Sequence, residues 1–185
     1  MSEAQLKSLV LIPKFTGGLS MIGSSIVCWD ILRDRQKKLK KVYHRLLLVM
    51  SSMDIVLSFS LFLSTWPIPE DTPNAPWLAA GNDATCTAQG FAQVFFMPAL
   101  FYNAYLSIYY VLVIVYGWSE RRIVPLEKCA HGFTFVFSCV TAFTALALGM
   151  YGSNFLVWCF ITGSWNIQLA INIAWQWAAW VVVLS

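Results

Sequence analysis

The chain has 185 residues, of which 58% are hydrophobic and only 11% charged, with a net charge of +3 and a mean hydropathy of +0.64. A soluble domain carries about 25% charged residues, so a water-facing globule is excluded, as are intrinsic disorder, collagen and a small disulfide-packed secreted domain. The positive charge does not point to nucleic acid either, because seven of the twelve Lys and Arg residues crowd into Arg33–Arg45, between two apolar runs.

A bilayer core of about 30 Å takes about 20 apolar residues as a helix. In chain order the runs of that length are 9–32, 46–65, 91–116, 132–151 and 165–185. None alternates strictly, and each is about twice the length of a barrel strand. The expected fold is therefore an all-α membrane protein with five visible transmembrane helices in a single domain, 1–185. The last run ends at Ser185 with nothing charged after it, so the sequence is read as the start of a longer bundle.

The first run is followed, not preceded, by its basic cluster, which suits an uncleaved anchor with its amino terminus outside. Arg33, Arg35, Lys37, Lys38, Lys40, Lys41 and Arg45 lie between the first and second runs, and Arg121, Arg122 and Lys128 between the third and fourth. The stretch from Trp66 to Gly90 carries only Glu70, Asp71 and Asp83, and Gly152 to Ser164 carries no charge. The positive-inside rule makes the basic loops cytoplasmic. An integral, multi-pass protein of the plasma membrane with an extracellular amino terminus is expected, its first partner the lipid bilayer.

Within the first run, Gly17, Ser20 and Ser24 follow i, i+3, i+7 spacing, the pattern of close helix packing. The second run holds Asp54, the one carboxylate deep in a span, about 13 Å above the level of Arg45 at 1.5 Å per residue. Such a residue is costly in lipid and turns to the bundle interior. Ser107 reaches a similar depth in the third run, with Asn103 one turn away. Asp54 is therefore expected to pack against Asn103 and Ser107, either as a hydrated or cation-binding site or as a structural polar contact.

The third run contains Pro98, which should kink it, and offers Gln93 and Tyr102 as candidates to line a ligand pocket. The fifth carries Gln168, Asn172 and Gln176 at successive i, i+4 positions, on one helix face. This stripe could line a ligand cavity or form interhelical hydrogen bonds. Of the five cysteines, Cys28, Cys129 and Cys139 lie near the cytoplasm or within the membrane. Cys86 and Cys159 both lie outside, placed to form a disulfide or to remain two separate thiols.

No catalytic pattern is visible. The histidines His44 and His131 stand alone, with no metal-binding spacing, no nucleophile elbow, no phosphate loop and no dinucleotide fingerprint. The sequence is read as a non-enzyme without cofactor or metal.

One set of features resembles a known family: the outside amino terminus, the short basic first loop, Asp54 within Met50-Ser-Ser-Met-Asp54, and Cys86 opening a long third span. That span ends at Tyr116-Gly-Trp-Ser-Glu-Arg-Arg122, and Cys159 lies in the next outer loop. Together they resemble the first five helices of a seven-transmembrane G protein-coupled receptor, most of all the secretin/cyclic-AMP-receptor-like group. Val42-Tyr-His-Arg-Leu-Leu-Leu48 and Trp158-Cys159-Phe160 carry most of the likeness. The resemblance implies an extracellular ligand of unknown identity and a heterotrimeric G protein contacting the inner loops, including Arg121 and Arg122. The chain departs from the rhodopsin-like pattern in lacking an Asp/Glu-Arg-Tyr triplet at the end of the third span. It also lacks the large ectodomain of hormone-binding secretin receptors. A small polytopic transporter or channel with Asp54 as ion or proton site is the alternative; a retinal pigment and a five-span structural protein are further readings.

Overall fold

A computed structural model of the protein describes residues 3–73, 75–155 and 157–163, together with Trp177 and Val181. Four helical stretches among these residues are long and apolar enough to cross a membrane: Gln5–Arg33, Val42–Leu63, Asp83–Val115 and Glu120–Ala147. The elements are α1 (Glu3–Arg33), the single turn α2 (Arg35–Lys38), α3 (Val42–Leu63), α4 (Asp83–Phe96), α5 (Ala99–Tyr110), α6 (Glu120–Ala147) and two short strands, β1 (Tyr151–Phe155) and β2 (Trp158–Ile161). The fifth apolar run, with Gln168, Asn172 and Gln176, falls outside the described residues except for Trp177 and Val181.

Hydropathy locates the bodies of these helices but not their ends. The third stretch begins at Asp83, not Phe91, because Asn82 and Thr85 form a capping box. Asn82 Oδ1 accepts from Thr85 N–H at 3.0 Å, and Thr85 Oγ1 accepts from Asn82 N–H at 2.8 Å. The stretch breaks at Pro98, where the kink is expected, and α5 continues into a π-helical turn over Val111–Val115. The fourth begins at Glu120, three turns before the apolar run, with Ile123 and Glu127 buried and Arg121, Arg122 and Lys128 exposed. It ends in a Schellman motif, with Met150 N–H on Ala145 O at 2.9 Å, Gly149 N–H on Leu146 O at 3.0 Å, and Gly149 at φ +61°.

The segment after α6, expected as an irregular uncharged loop, is an antiparallel hairpin in which Tyr151 lies opposite Ile161 and Gly152 opposite Phe160. The helical bundle thus carries a small β cap at one end, here called the hairpin end. The opposite end, carrying Arg33–Arg45 and Arg121–Lys128, is the basic end.

Large apolar side chains face outward along the bundle, and polar ones share its interior with the apolar core. Phe15, Trp29, Ile114 and Phe135 are largely exposed, whereas Ser51, Ser58, Ser60, Gln89, Gln93, Thr134 and Ser138 are buried. This is the distribution expected of a bundle in lipid, where polar groups must be satisfied internally. α1 packs along α3. They pack tightly at Gly17, where a Cβ would sit 2.8 Å from the Ser58 carbonyl oxygen. At the basic end Val42, Leu46, Tyr102, Tyr109 and Ile123 form one core cluster; at the hairpin end Val94, Ala142, Ala145 and Ile161 form another.

Candidate functional site

At the hairpin end, Cys86 and Cys159 are joined by a disulfide with an S–S distance of 2.01 Å and a Cα separation of 5.3 Å. Cys86 lies inside the first turn of α4, where the capping box places it, and the bond is buried beside Ile68. One turn further along α4, buried Gln89 acts as a clamp. Its Nε2 donates to the carbonyls of Ser60 and Ser64, each at 2.9 Å, and its Oε1 accepts from Cys159 N–H at 2.9 Å. Tyr151 Oη, under the hairpin, donates to Ala142 O at 2.9 Å, and burial pushes its pKa above the ordinary tyrosine range.

At mid-depth, Asp54 faces α1. Its Oδ2 accepts from Ser20 Oγ at 2.8 Å and from Ser24 Oγ at 2.6 Å. This corrects the expected pairing with α5. Asn103 is exposed, and the Ser107 hydroxyl turns back to the Asn103 carbonyl at 3.0 Å. The small-residue stripe of α1 has a double use: Gly17 lets the helices approach, and the two serines hydrogen-bond the carboxylate. Nearer the hairpin end of the same seam, Lys14 donates to the carbonyl of Leu63 at 3.0 Å and lies 3.8 Å from the Trp66 ring centre, a cation at the negative end of α3.

The most extensive side-chain network is at the basic end. Arg45 Nε and Nη2 donate to the two carboxylate oxygens of Glu127, each at 2.6 Å, and its Nη1 donates to Leu39 O at 2.7 Å. Glu127 is only 6% exposed. His131, one turn on, has its Nε2 3.7 Å from the same carboxylate and its Nδ1 2.7 Å from Tyr102 Oη. Beside this chain, Glu120 accepts twice, from Tyr109 Oη at 2.8 Å and from Val42 N–H at 3.0 Å, the latter an otherwise free donor of the first turn of α3. The starts of α3 and α6 and the last turn of α5 are thereby joined by charge-assisted bonds, roughly twice as strong as neutral ones.

Of the pocket candidates, Tyr102 is thus committed to His131, and Gln93 is packed between helices with its Nε2 lacking a partner among the described residues. Gln168 and Asn172 lie outside the described residues. Arg121 and Arg122 are exposed on the first turn of α6. Arg45, Glu120, Glu127 and His131 had not been assigned to a site. The available signal was the spacing of Ile123, Glu127, Thr134 and Ser138, which continues the buried face of α6 toward its amino end. Among the described residues, no group of three or more His, Cys, Asp and Glu is arranged to hold a metal.

Compared with known proteins, the chain matches no family model and no curated protein sequence.

Proposed function

We propose that the protein is a membrane receptor of the seven-helix, G protein-coupled kind, passing an extracellular signal to a heterotrimeric G protein at the basic end. The observation that carries the reading is the contrast between the two ends of the bundle. A disulfide ties the hairpin to the top of α4, while the helices bordering the basic loops are held by Arg45–Glu127 and by Glu120. Such a receptor needs one arrangement of its inner loops in the resting state and a second that a ligand favours. A polar latch between α3 and α6 is a two-state element of that type. By the charge rule the basic end is cytoplasmic. Arg121 and Arg122, exposed beside the latch, are then the groups a G protein meets.

The test is guanine-nucleotide exchange on purified heterotrimeric G proteins of each class, using membranes of cells that express the protein from its full-length coding sequence, since the first five spans of seven should not signal by themselves. Exchange should exceed that of membranes lacking it, rise further in Arg45→Met, and fall when Arg121 and Arg122 are both changed to Ala at equal expression. No exchange above background with both the parent protein and Arg45→Met would overturn the reading.

A further inference from the structure

A cavity of about 370 Å³ lies at the basic end between α3, α5 and α6, within the size range of small-molecule sites. Leu46, Ile108, Tyr109, Leu126, Cys129 and Phe133 line it. Its walls are apolar, and its one carboxylate, Glu127, is already neutralised by Arg45. Ile108, Leu126 and Phe133 are 42%, 46% and 51% exposed, so the cavity opens sideways onto the apolar surface of the bundle and not toward its axis.

Two cations lie just beyond its lining residues, one a helical turn from Leu126 and one next to Val42 in the chain. Arg122, Leu126, Cys129 and Phe133 follow i, i+4, i+7, i+11 spacing on α6 and share one face. Arg122 therefore sits about 6 Å beyond the lining residue Leu126, toward the basic end. Across the cavity, Lys41 immediately precedes the lining residue Val42. Both cations are exposed, and the ion pairs among the described residues, Lys38–Asp30 and those of Glu127, use neither. An apolar slot open to the side, with unpaired cations just beyond its lining residues, matches a molecule with an apolar chain and an anionic head.

We propose that this cavity is a binding site for an anionic glycerophospholipid, one acyl chain lying along Ile108, Leu126 and Phe133 and the net-negative headgroup meeting Arg122 and Lys41. The inference rests on the multi-pass membrane reading and is independent of the receptor reading. A lipid so placed touches α3, α5 and α6 together, beside the Arg45–Glu127 latch.

The test uses the purified full chain in micelles containing equal amounts of phosphatidylserine and phosphatidylcholine with matched acyl chains, with native mass spectrometry reading which lipid stays bound. Phosphatidylserine should be retained with about thirtyfold preference, which corresponds to about 2 kcal/mol for two surface cations. Changing Arg122 and Lys41 together to Gln should bring the preference close to one. Cys129→Trp, which fills the slot, should reduce retention of both lipids. An intact Cys86–Cys159 bond and an unchanged melting temperature identify variants that remain folded. Equal retention of the two lipids by the parent protein, or a preference that survives the double change, would overturn the site. A protein released from membranes by alkaline carbonate would instead overturn the membrane reading, and the lipid site with it.

Discussion

Arg45 and Glu127, 82 positions apart in the chain, meet fork to fork, each carboxylate oxygen accepting one guanidinium N–H at 2.6 Å. The pair joins the first turn of α3 to the second turn of α6. Glu127 is almost fully enclosed, and Arg45 is the guanidinium that meets it.

Removing only the cation leaves a buried carboxylate, so Arg45→Met should cost about 3 kcal/mol of stability. Changing Arg45 and Glu127 together to Met should cost less than the sum of the single changes. Unfolding of the purified protein in micelles by SDS titration, run as a double-mutant cycle, measures the coupling. Strict additivity would show that the two side chains are adjacent but not coupled.

Gln89→Leu removes three hydrogen bonds and strands the carbonyls of Ser60 and Ser64 and the N–H of Cys159. A loss of about 2 kcal/mol is expected. The hairpin should also loosen, so dithiothreitol should reduce the Cys86–Cys159 bond faster than in the parent protein.

Two glycines of α1 make a matched pair. A Cβ at Gly17 would stand 2.8 Å from Ser58 O and 3.0 Å from Phe62 N, both backbone atoms that cannot give way cheaply, whereas Gly23 has nothing within 4 Å. Gly17→Ala should destabilise by about 1–3 kcal/mol despite alanine's better helix propensity. Gly23→Ala should be neutral or mildly stabilising in the same melting experiment.

Mass spectrometry of a non-reduced digest should recover Cys86 linked to Cys159, with Cys28, Cys129 and Cys139 as free thiols. The bond closes a loop of 73 residues in sequence separation. Replacing both partners by Ser should lower stability by on the order of 4 kcal/mol in the chain-entropy account.

Tyr151 predicts an alkaline effect. Its folded pKa lies above the unfolded value of about 10, so the neutral form is the one the fold favours. Its contribution is therefore complete below pH 10 and is lost as the pH rises beyond it. Tyr151→Phe should cost about 1 kcal/mol at pH 7 through the missing bond to Ala142 O and should move the alkaline unfolding midpoint upward.

Depth within the bundle is legible from residue counting, but azimuth is less so. Asp54 was expected to face the bundle interior, yet it was assigned to α5, and Ser20 and Ser24 to packing alone. Helices adjacent in sequence are the usual neighbours, and α1 supplied the partner. The polar beginning of α6 was hidden for a different reason. A hydropathy window stops where charges begin, while the helix and its buried stripe continue through Glu127 and Ile123 to Glu120. The hairpin left no period to read: β1 and β2 have five and four residues, and long-range ties from Cys86 and Gln89 anchor β2.

The two ends of the bundle are fastened by bonds of different kinds. The disulfide is covalent and indifferent to charge, whereas the fork between Arg45 and Glu127 is ionic and yields to a competing ion. The molecule thus has a fixed pivot and a releasable arm. The 28 residues of α6, which carries Glu127, make that arm about 42 Å long. A tilt of about 5° about the pivot then moves the far end by about 4 Å over that length, so a change too small to disturb the hairpin becomes a displacement of side-chain size among the basic loops.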